Sequence, residues 1–247
     1  VNLAARFVRA LGYFTVLPVG KADAGPPEPE DVVLLPLVGA CVGLMSGTFA
    51  YLASRVLPQR IAASLACAGP IVFTGALHLD GFLDTCDAAF AAVDLEKRRE
   101  ILRDPRHGSF AFAGGALLVL STYATLREIE PRRWPLALAL CGGIARTAGL
   151  VAASTADAGG DGTAASAFAK RPDSRVLAIQ TMAFLAAAIA SDGLGRAVAC
   201  ATVIPAMLPL ASLIANRFEG RLGGDAYGFL ICSAELGTLV ALATEFR

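Results

Sequence analysis

Long apolar stretches alternate with short charged ones along almost the whole chain. Val32–Val56 carries no charge between Asp31 and Arg55. A run of that length crosses a hydrocarbon core, which takes about 20 helical residues. Further runs follow at Ile61–Leu77, Phe110–Leu126, Trp134–Ser154 and Val176–Ser191. Two more are Arg196–Ala215, interrupted by Pro205 and Pro209, and Phe229–Ala243, interrupted by Glu235. The pattern predicts an all-α, polytopic membrane helix bundle with about six or seven transmembrane helices. Gly39, Gly43 and Gly47 stand four residues apart in the first run, a spacing that lets helices approach closely.

Between the runs lie polar connections at Val93–Gly108, Arg127–Arg133, Thr155–Arg175 and Asn216–Gly228. Lys21–Asp31 is a loop by its prolines, Pro26, Pro27 and Pro29. Val1–Val19, with Arg6 and Arg9, reads as an amphipathic helix on the membrane surface rather than a cleavable signal peptide. Lys97, Arg98, Arg99, Arg103, Arg106, Lys170, Arg171, Arg175, Arg217 and Arg221 mark their connections as cytoplasmic by the positive-inside rule. Arg127, Arg132 and Arg133 run against that assignment.

Composition agrees with the pattern. Of 247 residues 55% are hydrophobic and only 17% charged, against about 25% charged in a soluble domain. Mean hydropathy is +0.61. Because the excess is spread along the chain, residues 1–247 are expected to form a single integral-membrane domain. Acidic and basic residues balance, which argues against a nucleic-acid partner. Cys41, Cys67, Cys86, Cys141, Cys200 and Cys232 are scattered and read as small packing residues.

The candidate chemistry sits in His78-Leu-Asp80-Gly-Phe-Leu-Asp84-Thr-Cys-Asp87, directly after an apolar run. On a helix Asp80, Asp84 and Asp87 fall within a sector of about 60°. Like charges on one stripe repel, and a carboxylate within a membrane costs about 2.5–3.5 kcal/mol. Mg2+, a hard ion that takes carboxylate and phosphate oxygens, relieves both penalties. A solvated helix end and an ion-transport pathway are the competing readings of the same cluster. Asp104-Pro-Arg106-His107-Gly108 forms a fixed turn that holds Asp104 and Arg106 as candidate catalytic residues. Arg217–Gly228 is glycine-rich, and Gly224 allows close approach of backbone to a phosphate. Asp225 there is a fourth candidate metal ligand. His78 and Arg146 are candidate substrate contacts. Arg146 stands in an apolar run and needs an anion, either phosphate or a structural acid.

These segments together resemble the cobalamin synthase family, the adenosylcobinamide-GDP ribazoletransferases. Gly75-Ala-Leu-His78-Leu-Asp80-Gly-Phe-Leu-Asp84-Thr-Cys-Asp87 resembles its G-x-x-H-x-D-G-x-x-D-T-x-D signature. Arg99-Glu-Ile-Leu-Arg103-Asp104-Pro-Arg106-His107-Gly108-Ser-Phe110 is similar to its R-x-x-I-[MK]-[KR]-D-S-R-x-G-[ST]-F segment, and Phe14-Thr-Val-Leu-Pro18-Val19 to its F-x-T-x-L-P-[VI] start. Gly223-Gly224-Asp225-Ala-Tyr-Gly228 keeps the family's G-D-x-x-G without its T-G insert: either Asp225 matches the family's acid, the favoured alignment, or three residues are lost and Glu235 keeps its register. The loop before Phe168 lacks the family's R-x-x-G-L-G. The resemblance implies transfer of the adenosylcobinamide-phosphate moiety of adenosylcobinamide-GDP to α-ribazole or its 5′-phosphate, with release of GMP. It also implies Mg2+ as cofactor, a cell inner-membrane location with the site facing the cytoplasm and contact with membrane lipid. A complex with other cobalamin-assembly enzymes is a further expectation. CDP-alcohol enzymes carry D-x-x-D-G-x-x-A-R, which is missing here, and prenyltransferases carry paired acidic clusters of which one is clear here. A cation-coupled transporter is the alternative from another class.

Overall fold

In the computed structural model, described here for residues 3–19, 28–155, 157–158 and 173–244, helices dominate. They are α1 (Leu3–Phe14), α2 (Pro29–Val32), α3 (Leu35–Ala53), α4 (Gln59–Phe73), α5 (Leu77–Phe90) and α6 (Leu95–Ile101). After them come α7 (Ser109–Glu128), α8 (Trp134–Ala153), α9 (Ser174–Ala215) and α10 (Gly224–Ala243). A two-residue parallel pairing joins β1 (Asp157–Ala158) to β2 (Arg221–Leu222). The glycine-rich segment after Ala158, including Gly159, Gly160 and Gly162, lies outside the described residues.

Among the described residues five helical spans are long and apolar enough to cross a membrane, and α4 with α5 passes as a sixth, bent by 89° at its break. Their outward faces are apolar: Phe49, Leu52, Phe112, Leu117, Ile179 and Met182 are all exposed. In α7 only 11% of the apolar window is buried inside the protein, as expected where lipid is the other solvent. The chain is thus a polytopic membrane bundle.

The α9 segment is 42 residues long, about twice what one crossing needs. It breaks at Gly193, whose φ of 84° and ψ of 166° lie outside the helix region. Gln180, in its first limb, donates to Val33 O. Beyond the break, Arg196 reaches Thr244 O at the end of α10, and Val203 lies beside Gly237. The second limb therefore runs antiparallel to α10, and Gly193 reverses the chain. The two separate runs expected here, Val176–Ser191 and Arg196–Ala215, are the two limbs of a helical hairpin. Pro205 and Pro209, expected as interruptions, stay inside its second limb.

The tightest packing is between α3 and α8. A Cβ on Gly43 would fall 1.9 Å from Leu138 O, and one on Gly142 would fall 2.1 Å from Gly39 O. The glycine spacing read from the sequence is therefore a close helix crossing. At the other edge α1 is pinned to α2 by Arg9, which donates to both oxygens of buried Asp31 at 2.8 Å.

Two ends of the bundle can be told apart. At one, Arg133 pairs with Asp192 and donates to Leu242 O. At the other, Arg99 of α6 reaches Glu219 before α10 at 3.2 Å, and Gly108 meets Asp87. The connections carrying Lys97, Arg98, Arg99, Arg103, Arg106, Arg217 and Arg221 share this second end.

Candidate active site

The α4–α5 break creates the site. Gly75 and Ala76 both take left-handed backbone angles, with φ of 59° and 60°. For alanine that costs about 1–2 kcal/mol, which the surrounding contacts must offset. The turn swings α5 nearly perpendicular to α4, so its acids emerge at the basic end of the bundle rather than inside a straight span.

Two glycines then bring α10 onto α5. A Cβ on Gly81 would sit 2.9 Å from both Cα and O of Asp225, and one on Gly228 would sit 2.7 Å from His78 O. No larger residue allows this approach. Phe82 stacks on Phe229 with ring centroids 5.0 Å apart, closing the crossing beneath. As a result Asp84 lies within electrostatic reach of Asp80 and Asp225, although Asp225 is more than a hundred residues away in sequence. Asp80 is 67% exposed by its side chain and Asp84 19%, so the pair spans the edge between protein and solvent.

His107 completes the face. Its Nε2 is 3.9 Å from Asp80 Oδ1 and its Nδ1 3.5 Å from Asp84 Oδ1. In the sequence it reads only as part of a turn. Its place between Arg106 and the helix-opening Gly108 was the available signal.

The remaining candidates divide. Asp87 shares the stripe, but its oxygens accept from Gly108 N at 2.5 Å and Ala111 N at 3.0 Å. It is buried and caps the start of α7, so the structure assigns it to joining α5 and α7 rather than to open coordination. Asp104 and Arg106 do form a fixed turn. Arg106 donates to Asp104 through Nε and a terminal nitrogen at 2.9 and 2.8 Å, and through its backbone N at 3.0 Å. Both are turned to each other, and Arg106 is 86% exposed. These hydrogen bonds hold Asp104 down to about 2.

Arg146 and His78 face away from the acids. Arg146 is buried and pairs with Glu235 Oε1 at 2.7 Å, so its anion is the structural acid and not a phosphate. Gly39 makes room for this side chain. His78 is also buried; it lines a cavity of about 60 Å³ with Arg146 and Glu235, and its Nδ1 has no partner. At helical spacing both residues point into the bundle, where the charge of Arg146 needs the counter-charge that Glu235 supplies. Gly224 opens α10 with empty space around it, as a backbone approach to a ligand requires.

Hard carboxylate oxygens on Asp80, Asp84 and Asp225, at a solvent edge, are the donor set Mg2+ uses. Among the described residues no three acidic, histidine or cysteine side chains close a ready-made metal cage. Mg2+ does not demand one: it keeps waters and is held by one or two carboxylates plus substrate phosphates. The residues fit the ion on those terms.

Fold and site define a polytopic helical membrane protein with a carboxylate site at one end of its bundle, flanked by a basic loop. A family model described as cobalamin-5-phosphate synthase matches residues 6–243. The chain belongs to that family. It is 34% identical to an adenosylcobinamide-GDP ribazoletransferase of Bradyrhizobium diazoefficiens, over 98% of this chain and 93% of the relative. A protein of the same name from Azorhizobium caulinodans is 29% identical over 96% of this chain and 95% of its own. One from Leptothrix cholodnii is 30% identical over 98% and 94%. No solved structure matches the chain.

Proposed function

We propose that this protein joins the two halves of adenosylcobalamin late in cobalamin biosynthesis. A hydroxyl of α-ribazole, or of its 5′-phosphate, attacks the cobinamide-bound phosphorus of adenosylcobinamide-GDP. A new P–O bond forms, the pyrophosphate P–O bond breaks and GMP leaves. The observation that carries this reading is the meeting of Asp80 and Asp84 with Asp225 at the Gly81 crossing, in a chain whose family match runs from residue 6 to 243.

Such transfer is mostly positioning and charge neutralisation. Carboxylates of the Asp80, Asp84 and Asp225 group would hold Mg2+ together with the substrate phosphates, and the ion would supply positive charge to the pyrophosphate oxygens. One of these carboxylates, at the solvent edge, takes the proton of the attacking hydroxyl. Arg106 and the neighbouring Arg99 and Arg103 sit on the flank where the anionic GMP departs, and Arg presents a fork of donors suited to phosphate. Asp104 keeps Arg106 oriented. The basic end faces the cytoplasm of a cell whose inner membrane holds the protein. Association with other enzymes of the same assembly line belongs to this reading and is tested by co-purification.

The direct test supplies purified, lipid-reconstituted protein with adenosylcobinamide-GDP, α-ribazole and Mg2+. Stoichiometric GMP and a cobalamin product are expected. Absence of GMP with either acceptor form, in folded protein, contradicts the assignment.

A further inference from the structure

Beside Asp80 lies a groove outside the carboxylate cluster and the basic turn. It has a volume of about 460 Å³ and is walled by Tyr13, Thr15 and Val16 on one side and Gly75 and Ala76 on the other. That volume is in the range of small-molecule sites. Its walls are fixed to each other: Val16 N donates to Phe73 O at 2.8 Å, and Thr15 is held by its hydroxyl to Leu11 O at 2.6 Å. The left-handed pair Gly75 and Ala76 shapes the far wall.

Charge separates this flank from the other. Among the described residues lining the groove, Asp80 is the only charged one. His107, which meets Asp80 and Asp84, does not line the groove; it follows α6, with Arg99, and the turn with Arg103 and Arg106. In-line transfer places the attacking and leaving oxygens on opposite sides of the phosphorus. An anionic nucleotide leaves toward cations. A neutral, aromatic group with a hydroxyl suits a wall of tyrosine, threonine and backbone that ends at a carboxylate.

We propose that this groove is the acceptor subsite, with the aromatic base of the ribonucleoside stacked on Tyr13 and its attacking hydroxyl directed to Asp80. The inference rests on the transferase reading above. Guanine is the other aromatic base of the reaction, but it carries its phosphates with it, and no cation lines this groove to receive them.

The test is steady-state kinetics on the reconstituted full chain, varying each substrate against saturation with the other. Tyr13→Ala is expected to raise KM for α-ribazole about tenfold, the usual worth of base stacking, and not KM for adenosylcobinamide-GDP. Tyr13→Phe is expected to rescue most of that loss. Val16→Trp, which fills the groove from its wall, is expected to raise the same KM. A rise in the corrinoid nucleotide's KM instead assigns the groove to guanine and overturns the proposal. So does an unchanged α-ribazole KM in both Tyr13→Ala and Val16→Trp. If the wild-type protein releases no GMP, the transferase reading is what has failed. The groove is then judged by equilibrium binding of α-ribazole, and equal affinity for wild type and Tyr13→Ala overturns it.

Discussion

Asp84 and Asp87 stand three residues apart with the same side chain, yet their surroundings give them different work. Asp87 spends its oxygens on the first backbone amides of α7. Asp87→Ala is therefore expected to lower stability by about 0.5–2 kcal/mol, the range for a lost helix cap, measured by thermal unfolding in detergent. Arg146 and Glu235 form a buried pair, and removing one partner strands a charge at a cost of about 3–5 kcal/mol. Arg146→Leu alone should destabilise more than Arg146→Leu with Glu235→Leu, and a double-mutant unfolding cycle checks this. For Asp104 the sign is set by Arg106, which holds its carboxyl at about 2, below the ordinary value. Any stability from this exposed pair is present above the unfolded carboxylate range near pH 4 and is lost only as pH falls through about 2. An acid limb in GMP release above pH 5 therefore belongs to another group and should persist in Asp104→Asn. The sequence showed the acidic stripe through its spacing. It could not show Asp87's role, because the amides that occupy it are more than twenty residues downstream. Nor could it show that His107 folds back onto Asp80 and Asp84.

At the scale of elements, hydrophobic runs located the spanning helices to within a few residues, as Trp134–Ser154 against Trp134–Ala153 illustrates. Two features were hidden. Ile61–Leu77 reads as a run leading straight into the acidic stretch, whereas Gly75 and Ala76 turn the chain by 89°. Apolar periodicity has no term for a left-handed turn. Gly193 likewise looked like an ordinary gap between two runs and is the hinge of a hairpin. Glycines also fix the crossings. Gly43→Val should lower unfolding stability by about 1–3 kcal/mol, the usual cost of overpacking, because α3 and α8 cannot separate elsewhere along their glycine seam. Gly81→Val should act differently. It pushes Asp225 away from Asp84, so GMP release from the protein that remains folded should fall at least about tenfold, beyond the loss of stability that overpacking brings.

The whole molecule is polarised. Its acidic site, the basic α6 loop and the turn before α10 share one end, while Arg133, Asp192 and the end of α10 share the other. Single cysteines at position 97 and position 130, introduced into a chain whose native cysteines are replaced, should label from opposite sides of sealed vesicles, position 97 from the cytoplasmic one. This arrangement lets a membrane bundle assemble carboxylates from distant segments where water-soluble nucleotides reach them. The most direct measurement is the Mg2+ dependence of GMP release from adenosylcobinamide-GDP by reconstituted wild-type protein and Asp84→Asn. The account predicts saturable activation by Mg2+ in the wild type and release reduced by at least about a hundredfold in the variant, with folding intact. Release by Asp84→Asn at the wild-type rate, or release indifferent to Mg2+, would contradict it.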